Sequence, residues 1–471
     1  MKKIILNILK FLFLGILLIA TCLFIYNIIK LNVLNNLYIG IISIVLTLLL
    51  ILIFFKLIRK KTSKISKTLF SILGIALIII YFVGTTYIST TRNFIKKVTV
   101  KTEYRNYNII VLKTSNYDKI KDLKNTNIGF LSDDLENNQK TLKKQITFET
   151  KQFDNTSYLT ESLYNKETEA ISIEQTYLDI LTENDENYLN DKKIIYTYKV
   201  AISLENDQKE LNIEKPFIIY ISGSDARDKV SDVARSDVNI VVVVRPQDYK
   251  ILMISTPRDY YVQLHGTTGT KDKLTHAGVY GINKSVTTME DLLDIKIDRY
   301  IKVSFATVIN SVDVIDGVDI YSEKAFTPRA NKNCKIIEGT QHLNGECALA
   351  FARERKAYAS GDRHRGENQE QVLTKIIEKV TTPKYLTKYN EILKAIDGSF
   401  ETNATYEEIT TLIQSQVSNP AAWQIETYNL DGASSMGPTY TQVNAANYTH
   451  IMIPYENTIE TAKTKITEYL K

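Results

Sequence analysis

The chain has 471 residues, with 58 Lys+Arg and 53 Asp+Glu, a formal net charge of +5, 44% hydrophobic residues and only 8 Pro. This composition excludes wholesale disorder, and the near-neutral total argues against a nucleic-acid binder with a strongly basic working face. The length suggests two or three domains.

The charge is unevenly divided. Residues 1–100 contain 13 basic residues and no acidic one, and the first carboxylate is Glu103. The remaining 45 basic and 53 acidic residues leave −8 over 101–471. Three uncharged apolar runs occupy 11–29, 37–55 and 68–91. A helix needs roughly 20 such residues to cross the hydrocarbon core. Residues 1–97 are therefore expected to form a membrane anchor of three transmembrane helices. Lys2, Lys3 and Lys10 precede the first span, and six Lys/Arg fill the 56–67 loop, against Lys30 alone between spans one and two. The positive-inside bias predicts a cytoplasmic N-terminus and an extracytoplasmic remainder, with Arg92, Lys96 and Lys97 as a smaller opposing group. No convincing small-residue cleavage site follows the first span, which is read as retained.

From 98 to 205 the chain reads as a small accessory α/β domain. Residues 108–112, 127–131 and 193–202 are strand-like, and 133–145 and 157–164 are helix-like. A charged connector at 205–214 leads into a second pattern. Runs 217–222, 238–244 and 250–256 are continuously apolar, as suits strands buried on both faces. Amphipathic helices follow at 285–293, 305–314, 345–355 and 367–380. The alternation predicts a three-layer α/β/α domain over 206–471. Helix 406–417 and strand-like 425–430 and 449–454 most simply complete it. Cys334 and Cys347 stand 13 positions apart; an oxidising exterior permits a disulfide, and two reduced buried thiols are the alternative.

Charged groups gather at the ends of the apolar strands. Asp225 follows the first, Arg235 and Asp237 precede the second, and Arg258 and Asp259 end the third. Arg353, Arg355, Asp362, Arg365 and Gln369 join from a distant segment. Open α/β sheets bind ligands where loops gather at strand ends. Arginine forks match phosphate oxygens, and carboxylates suit a hard cation. The pattern fits phosphoryl transfer. No GxxxxGK[ST] loop, kinase signature, HExxH or GxSxG is present. Isolated His265, His276, His342 and His364 read as structural or solvated. The bland alternatives are a polar surface loop for Arg235 and Asp237, and helix C-terminal decoration for Arg353 and Arg355.

The phrases YISGSDARDKVSDVARSDVNIVVVV, ILMISTPRDYYV, DKLTHAGVYG and FARERKAYASGDRHRGENQEQV resemble the LytR-CpsA-Psr family. The three-span anchor and accessory domain are similar to its CpsA branch. The resemblance implies a phosphotransferase that moves a glycopolymer from a polyprenyl diphosphate carrier to peptidoglycan through a phosphodiester. Candidate polymers are teichoic acid and capsular polysaccharide. Asp225 and Asp237 are then expected to hold Mg²⁺ or Mn²⁺. Arg235, Arg258, Arg353 and Arg355 would clamp the diphosphate, with Arg365 and Gln369 completing its pocket. Asp259 and Asp362 either orient an arginine or act as base. His364, Glu367 and Glu370 depart from the residues common in the family, which bears on polymer preference. A diphosphatase on the same carriers and a non-catalytic wall-binding scaffold stay open as alternatives.

Overall fold

The structure is a computed structural model that describes residues 2–99, 102–132, 135–203, 211–224, 233–358, 361–386, 388–441 and 448–471. It divides into two compact units: Met1–Thr99 with Lys379–Asp397 and Ala404–Ala422, and Val100–Glu378 with Gly398–Asn403 and Trp423–Lys471.

The first unit is built on three helices, α1 (Lys2–Leu31), α2 (Asn36–Ile58) and α3 (Lys64–Val98). All three are long and apolar enough to cross a membrane. Ser63 caps α3 by accepting from the Ser66 amide at 3.2 Å. Leu14, Leu17, Ile53, Leu57 and Tyr81 meet in a buried seam, while Ile44, Leu48 and Phe82 stay exposed. An apolar outer surface of this kind needs lipid as its solvent. The helices Pro383–Leu386, Tyr389–Ala395 and Tyr406–Ser418 also belong to this unit. The sequence reading placed 406–417 with the sheet. Specific bonds account for the difference: Lys97 pairs with Asp397 at 2.8 Å, Thr99 donates to the Ala404 carbonyl at 3.1 Å, and Tyr406 to that of Leu31 at 2.9 Å.

The second unit opens with a five-stranded sheet. Its strands are β1 (Thr102–Leu112), β2 (Asn127–Leu131), β3 (Glu149–Phe153), β4 (Ala170–Glu174) and β5 (Lys192–Ser203), in the order β3-β2-β4-β1-β5. Alternate β1 residues Tyr107, Ile109 and Val111 face one core cluster, while Ile110 faces another with Leu159 and Leu163. Both faces are therefore covered. The helix expected at 133–145 is observed as Leu135–Leu142.

A six-stranded mixed sheet follows. Its members are β6 (Phe217–Ser224), β7 (Ser236–Arg245), β8 (Lys250–Ser255), β11 (Arg299–Ser304), β14 (Phe400–Thr402) and β15 (Gln424–Asn429), in the order β14-β11-β6-β7-β8-β15. Short pairs β9 (Tyr261–Val262) with β10 (Asp272–Lys273), β12 (Val318–Ser322) with β13 (Gly339–Leu343), and β16 (Gly432–Gly437) with β17 (Thr449–Pro454) lie outside it. Ile218, Tyr220, Val241, Val243, Leu252 and Ile254 pack one face against helices Ile282–Leu293 and Glu456–Leu470 through Met289, Leu293, Ile459 and Ile466. The alternate residues Ile240, Val242, Ile251 and Met253 are buried on the other face. This is the expected three-layer α/β/α arrangement, and burial on both faces explains the unbroken apolar runs. Cys334 and Cys347 are joined in a disulfide, with Cα atoms 5.4 Å apart.

Strand direction positions the chemistry. β6, β7 and β8 pair antiparallel, with Ser224 opposite Ser236 and Ile240 opposite Ser255. The end of β6, the start of β7 and the end of β8 therefore share one edge of the sheet. A parallel β7 would have sent Asp237 to the opposite edge.

Candidate active site

Asp237 is the second residue of β7, and Arg258 lies just past β8. The Arg258 guanidinium is ion-paired through Nη1 with Asp237 Oδ1 at 2.7 Å, and Thr275 Oγ1 donates a hydrogen bond to the same oxygen at 3.3 Å. Backbone bonds hold the loop rigid: the Thr256 amide donates to the Asn239 carbonyl at 2.9 Å, and the Thr275 amide to that of Arg258 at 2.9 Å.

Asp259 is buried among basic side chains. Arg258, Lys273, Arg355 and His450 lie 3.6, 3.9, 3.8 and 3.4 Å from its oxygens. Burial alone would raise its pKa, but these neighbours outweigh that effect and hold it below the ordinary carboxylate value. Lys273 and His450 were not among the sequence candidates. Lys273 stands inside the DKLTHAGVYG phrase without a distinctive pattern, and His450 is brought in by the β16–β17 hairpin, whose Met452 amide donates to the Asp259 carbonyl at 2.7 Å.

The third group comes from helix Asp362–Val380. This helix starts five residues earlier than expected, so Asp362, Arg365 and Gln369 ride on it rather than on a loop. Asp362 Oδ1 is ion-paired with Arg365 Nη2 at 2.8 Å and with Arg355 Nε at 3.5 Å. Burial lowers the Arg365 pKa, opposed by the Asp362 and Asp237 charges. The Arg365 Nε proton is buried and lacks a hydrogen-bond partner among the described residues. Such a donor favours an incoming anion.

The helix expected over 345–355 ends at Ala352. Glu354 is the cause. Its carboxylate accepts from the amides of Arg329, Arg355, Lys356 and Ala357 at 2.6–3.0 Å and thereby folds a turn. Burial raises the Glu354 pKa, and the amide donors more than reverse it. The turn points Arg353 and Arg355 apart. Arg355 joins Asp259 and Asp362, whereas Arg353 is exposed and lies 4.2 Å from the Phe305 ring.

Gly366 brings the helix against the sheet edge. A Cβ there would stand 2.7 Å from Asn429 Oδ1 and 2.8 Å from Ser255 Oγ. One turn on, Glu370 is wholly buried, and its Oε2 accepts from Asn429 Nδ2 at 2.8 Å. Burial pushes the Glu370 carboxyl up to about 8, so it is mostly neutral at physiological pH. Asp237, Asp362, Arg365, Gln369, Gly366 and Asn429 line a narrow cleft of about 10 Å³. The guanidinium groups are folded onto carboxylates, which keeps it nearly closed.

Of the sequence candidates, Asp237, Arg258, Asp259, Arg355, Asp362 and Arg365 form one continuous charge network, and Gln369 lines the adjoining cleft. Arg235 is partly buried just ahead of β7. Asp225 lies outside the described residues. For Mg²⁺ or Mn²⁺, the Arg258 ion pair and the Thr275 hydrogen bond both fall on Asp237 Oδ1, which among the described residues leaves Oδ2 for a hard cation. No group of three His, Cys, Asp or Glu forms a metal cluster among the described residues. One or two carboxylates completed by phosphate oxygens is nevertheless a usual Mg²⁺ environment, so the donor set fits. The histidines are paired: His265 with Asp291 at 2.7 Å, His276 with Asp272 at 2.6 Å, His342 with Asp319 at 2.7 Å and His364 with Glu367 at 2.9 Å.

The family model described as the LytR_cpsA_psr family matches residues 181–455, which include every described member of this network. The chain belongs to the LytR-CpsA-Psr family. It is 34% identical over 233 residues to the polyisoprenyl-teichoic acid–peptidoglycan teichoic acid transferase TagU of Bacillus cereus, covering 46% of this chain and 75% of that protein. TagU of Bacillus subtilis is 33% identical over 266 residues, covering 56% and 80%. Among solved structures, TagV of B. subtilis is 31% identical, covers 55% of this chain and 98% of its own, and superposes with a TM-score of 0.46. In this LytR-CpsA-Psr chain the family match begins before β5 and ends just past β17, so the arginine cluster lies wholly in family territory.

Proposed function

We propose that this chain is a phosphotransferase that moves a glycopolymer, of teichoic acid or capsular type, from a polyprenyl diphosphate carrier to peptidoglycan. Membership of a family with TagU transferases supports the reaction. The observation that carries the site is the Asp237–Arg258–Asp259–Arg355–Asp362–Arg365 network at one sheet edge. Positive charge on three converging arginines suits a diphosphate, and the carboxylates hold those arginines apart until it arrives.

In this reading the diphosphate enters by exchanging internal carboxylate contacts for its own oxygens. Arg258, Arg355 and Arg365 then face phosphate, with Arg258 released from Asp237 and Arg355 and Arg365 from Asp362. Gln369 binds the head group beside them. Arg235 and Arg353 are assigned to the outer part of the donor. An acceptor hydroxyl of peptidoglycan attacks the phosphorus bonded to the polymer. The new P–O bond forms as the bond to the polyprenyl phosphate breaks, and that phosphate leaves with its charge matched by the guanidinium groups. The hydroxyl proton passes to a carboxylate. Asp362 lines the cleft and takes that role, whereas Asp259, held acidic by the basic side chains around it, orients Arg258 and Arg355. Asp237 and Asp225 would hold Mg²⁺, which when bound neutralises diphosphate charge.

The anchor supports a location at the membrane, where such a donor resides. The Lys/Arg bias supports a cytoplasmic N-terminus and an extracytoplasmic catalytic domain. Incubating the purified chain with a lipid-diphosphate-linked glycopolymer and peptidoglycan tests the reading. Covalent polymer on peptidoglycan is expected; release of free phosphate with no polymer attached would favour the diphosphatase alternative.

A further inference from the structure

The accessory sheet carries a second cationic site that the transfer chemistry does not use. Lys121 and Lys124 come from the segment before β2, and Lys143 and Lys144 from the segment before β3. Together they line a hollow of about 400 Å³. All four are exposed. None of their ammonium groups has an ion pair or hydrogen bond among the described residues; Lys143 alone has a ring contact, 5.8 Å from Phe148.

Two features separate this hollow from an ordinary solvated face. First, its surroundings are not basic: residues 98–205 hold 18 acidic and 14 basic residues. Four unpaired lysines therefore gather against the local excess. A helix C-terminus explains cations at Lys143 and Lys144, which follow helix Leu135–Leu142, but not Lys121 and Lys124. Second, the two segments are tied together. The Asn125 amide donates to the Thr147 carbonyl at 2.7 Å, Thr147 Oγ1 returns a bond to Asn125 Oδ1 at 2.7 Å, and the Glu149 amide donates to Thr126 at 2.9 Å. Asn125 accepts a left-handed backbone, φ 63°, to make that junction. The like charges are thus held near one another by the fold, so their mutual repulsion is relieved by a multivalent anion.

We propose that this hollow binds the phosphodiester backbone of an anionic glycopolymer, holding the polymer while its diphosphate end is processed. The ligand class rests on the transferase reading above. Lysines bind phosphate as point charges without bidentate geometry, which suits a flexible repeating chain that can slide through the site.

The test uses the full-length protein in detergent micelles and a fluorescent polyglycerol phosphate without a lipid diphosphate. Wild type is expected to bind this polymer with an affinity that falls as salt rises, and to ignore a neutral glycan. The K121Q/K124Q/K143Q/K144Q variant should bind about tenfold more weakly or worse. The single variant K124Q, with unchanged thermal stability, should show a smaller loss. R258A should lose transfer yet bind the free polymer like wild type. Equal binding by wild type and the quadruple variant would overturn the proposal. So would preferential wild-type binding to anionic phospholipid vesicles over polymer, which would make the hollow a membrane contact. Absence of transfer activity with lysine-dependent polymer binding intact would defeat the transferase reading and leave this site standing.

Discussion

Arg258 Nη1 stands 2.7 Å from Asp237 Oδ1, joining the end of one strand to the start of its antiparallel neighbour. The pair is mostly shielded, so both groups are pre-oriented, with Asp237 lining the cleft. Replacing Arg258 by Ala, or Asp237 by Ala, should reduce transfer of polymer to peptidoglycan by about 10²–10³. Arg258→Lys should recover little, since an ammonium lacks the fork that reaches both Asp237 and Asp259. Rates near wild type in both alanine variants would show that the network is only structural.

Glu354 acts on the site through the backbone. Its carboxylate gathers four amide donors and sets the turn that aims Arg355. Glu354→Ala should cost about 2–3 kcal/mol of stability by stripping buried amides of their acceptor. The folded pKa is lowered from 4.5, so the carboxylate contribution is present above that pH and lost as pH falls toward the folded value. Chemical denaturation at neutral pH and in acid checks both points: the gap between wild type and variant should shrink in acid.

Glu370 has the opposite sign. Its folded pKa is raised from 4.5 to about 8, so its favourable contribution is full below 4.5 and declines as pH rises through 8. Glu370→Gln keeps an acceptor for Asn429 and removes the titration. The variant should gain on the order of 2 kcal/mol over wild type between mildly acidic and alkaline pH. A constant difference across a pH series of melting curves would refute this account.

Gly366 leaves no space for a methyl group against Asn429 and Ser255. Gly366→Ala should push the helix from the sheet edge, at about 1–3 kcal/mol, even though alanine is the better helix former. Because Arg365 and Gln369 move with the helix, transfer should fall further than stability alone explains. Donor-saturation kinetics on the folded fraction would show whether KM rises.

Much of the architecture was legible because it rests on local periodicity. The anchor followed from length and apolarity alone, and the strands β6, β7 and β8 from runs too short for helices and too apolar for one exposed face. β11 escaped notice: its RYIKVS segment has an alternating rather than continuous pattern. The 406–418 helix was visible as a helix, but its place with the anchor depends on bonds from Tyr406 to Leu31, 375 positions away.

The candidate site divides similarly. Arginine and aspartate at strand ends were visible as residue types, and family motifs ordered them. The roles of Glu354, Gly366 and Glu370 were not, because each depends on what a neighbouring segment presents: four amides, a strand end and an amide side chain. Arg353 and Arg355 look equivalent in sequence, yet only Arg355 reaches the carboxylates.

Sequence by itself determined the membrane anchor, the α/β class, the family and the concentration of arginines suited to phosphate, since these depend on composition, period and ordered motifs. Tertiary structure alone decided that β7 runs antiparallel, that Lys273 and His450 close around Asp259, and that four distant lysines share one hollow. Those outcomes are set by strand direction and by contacts between remote segments, and neither is encoded in the spacing along a single stretch of chain.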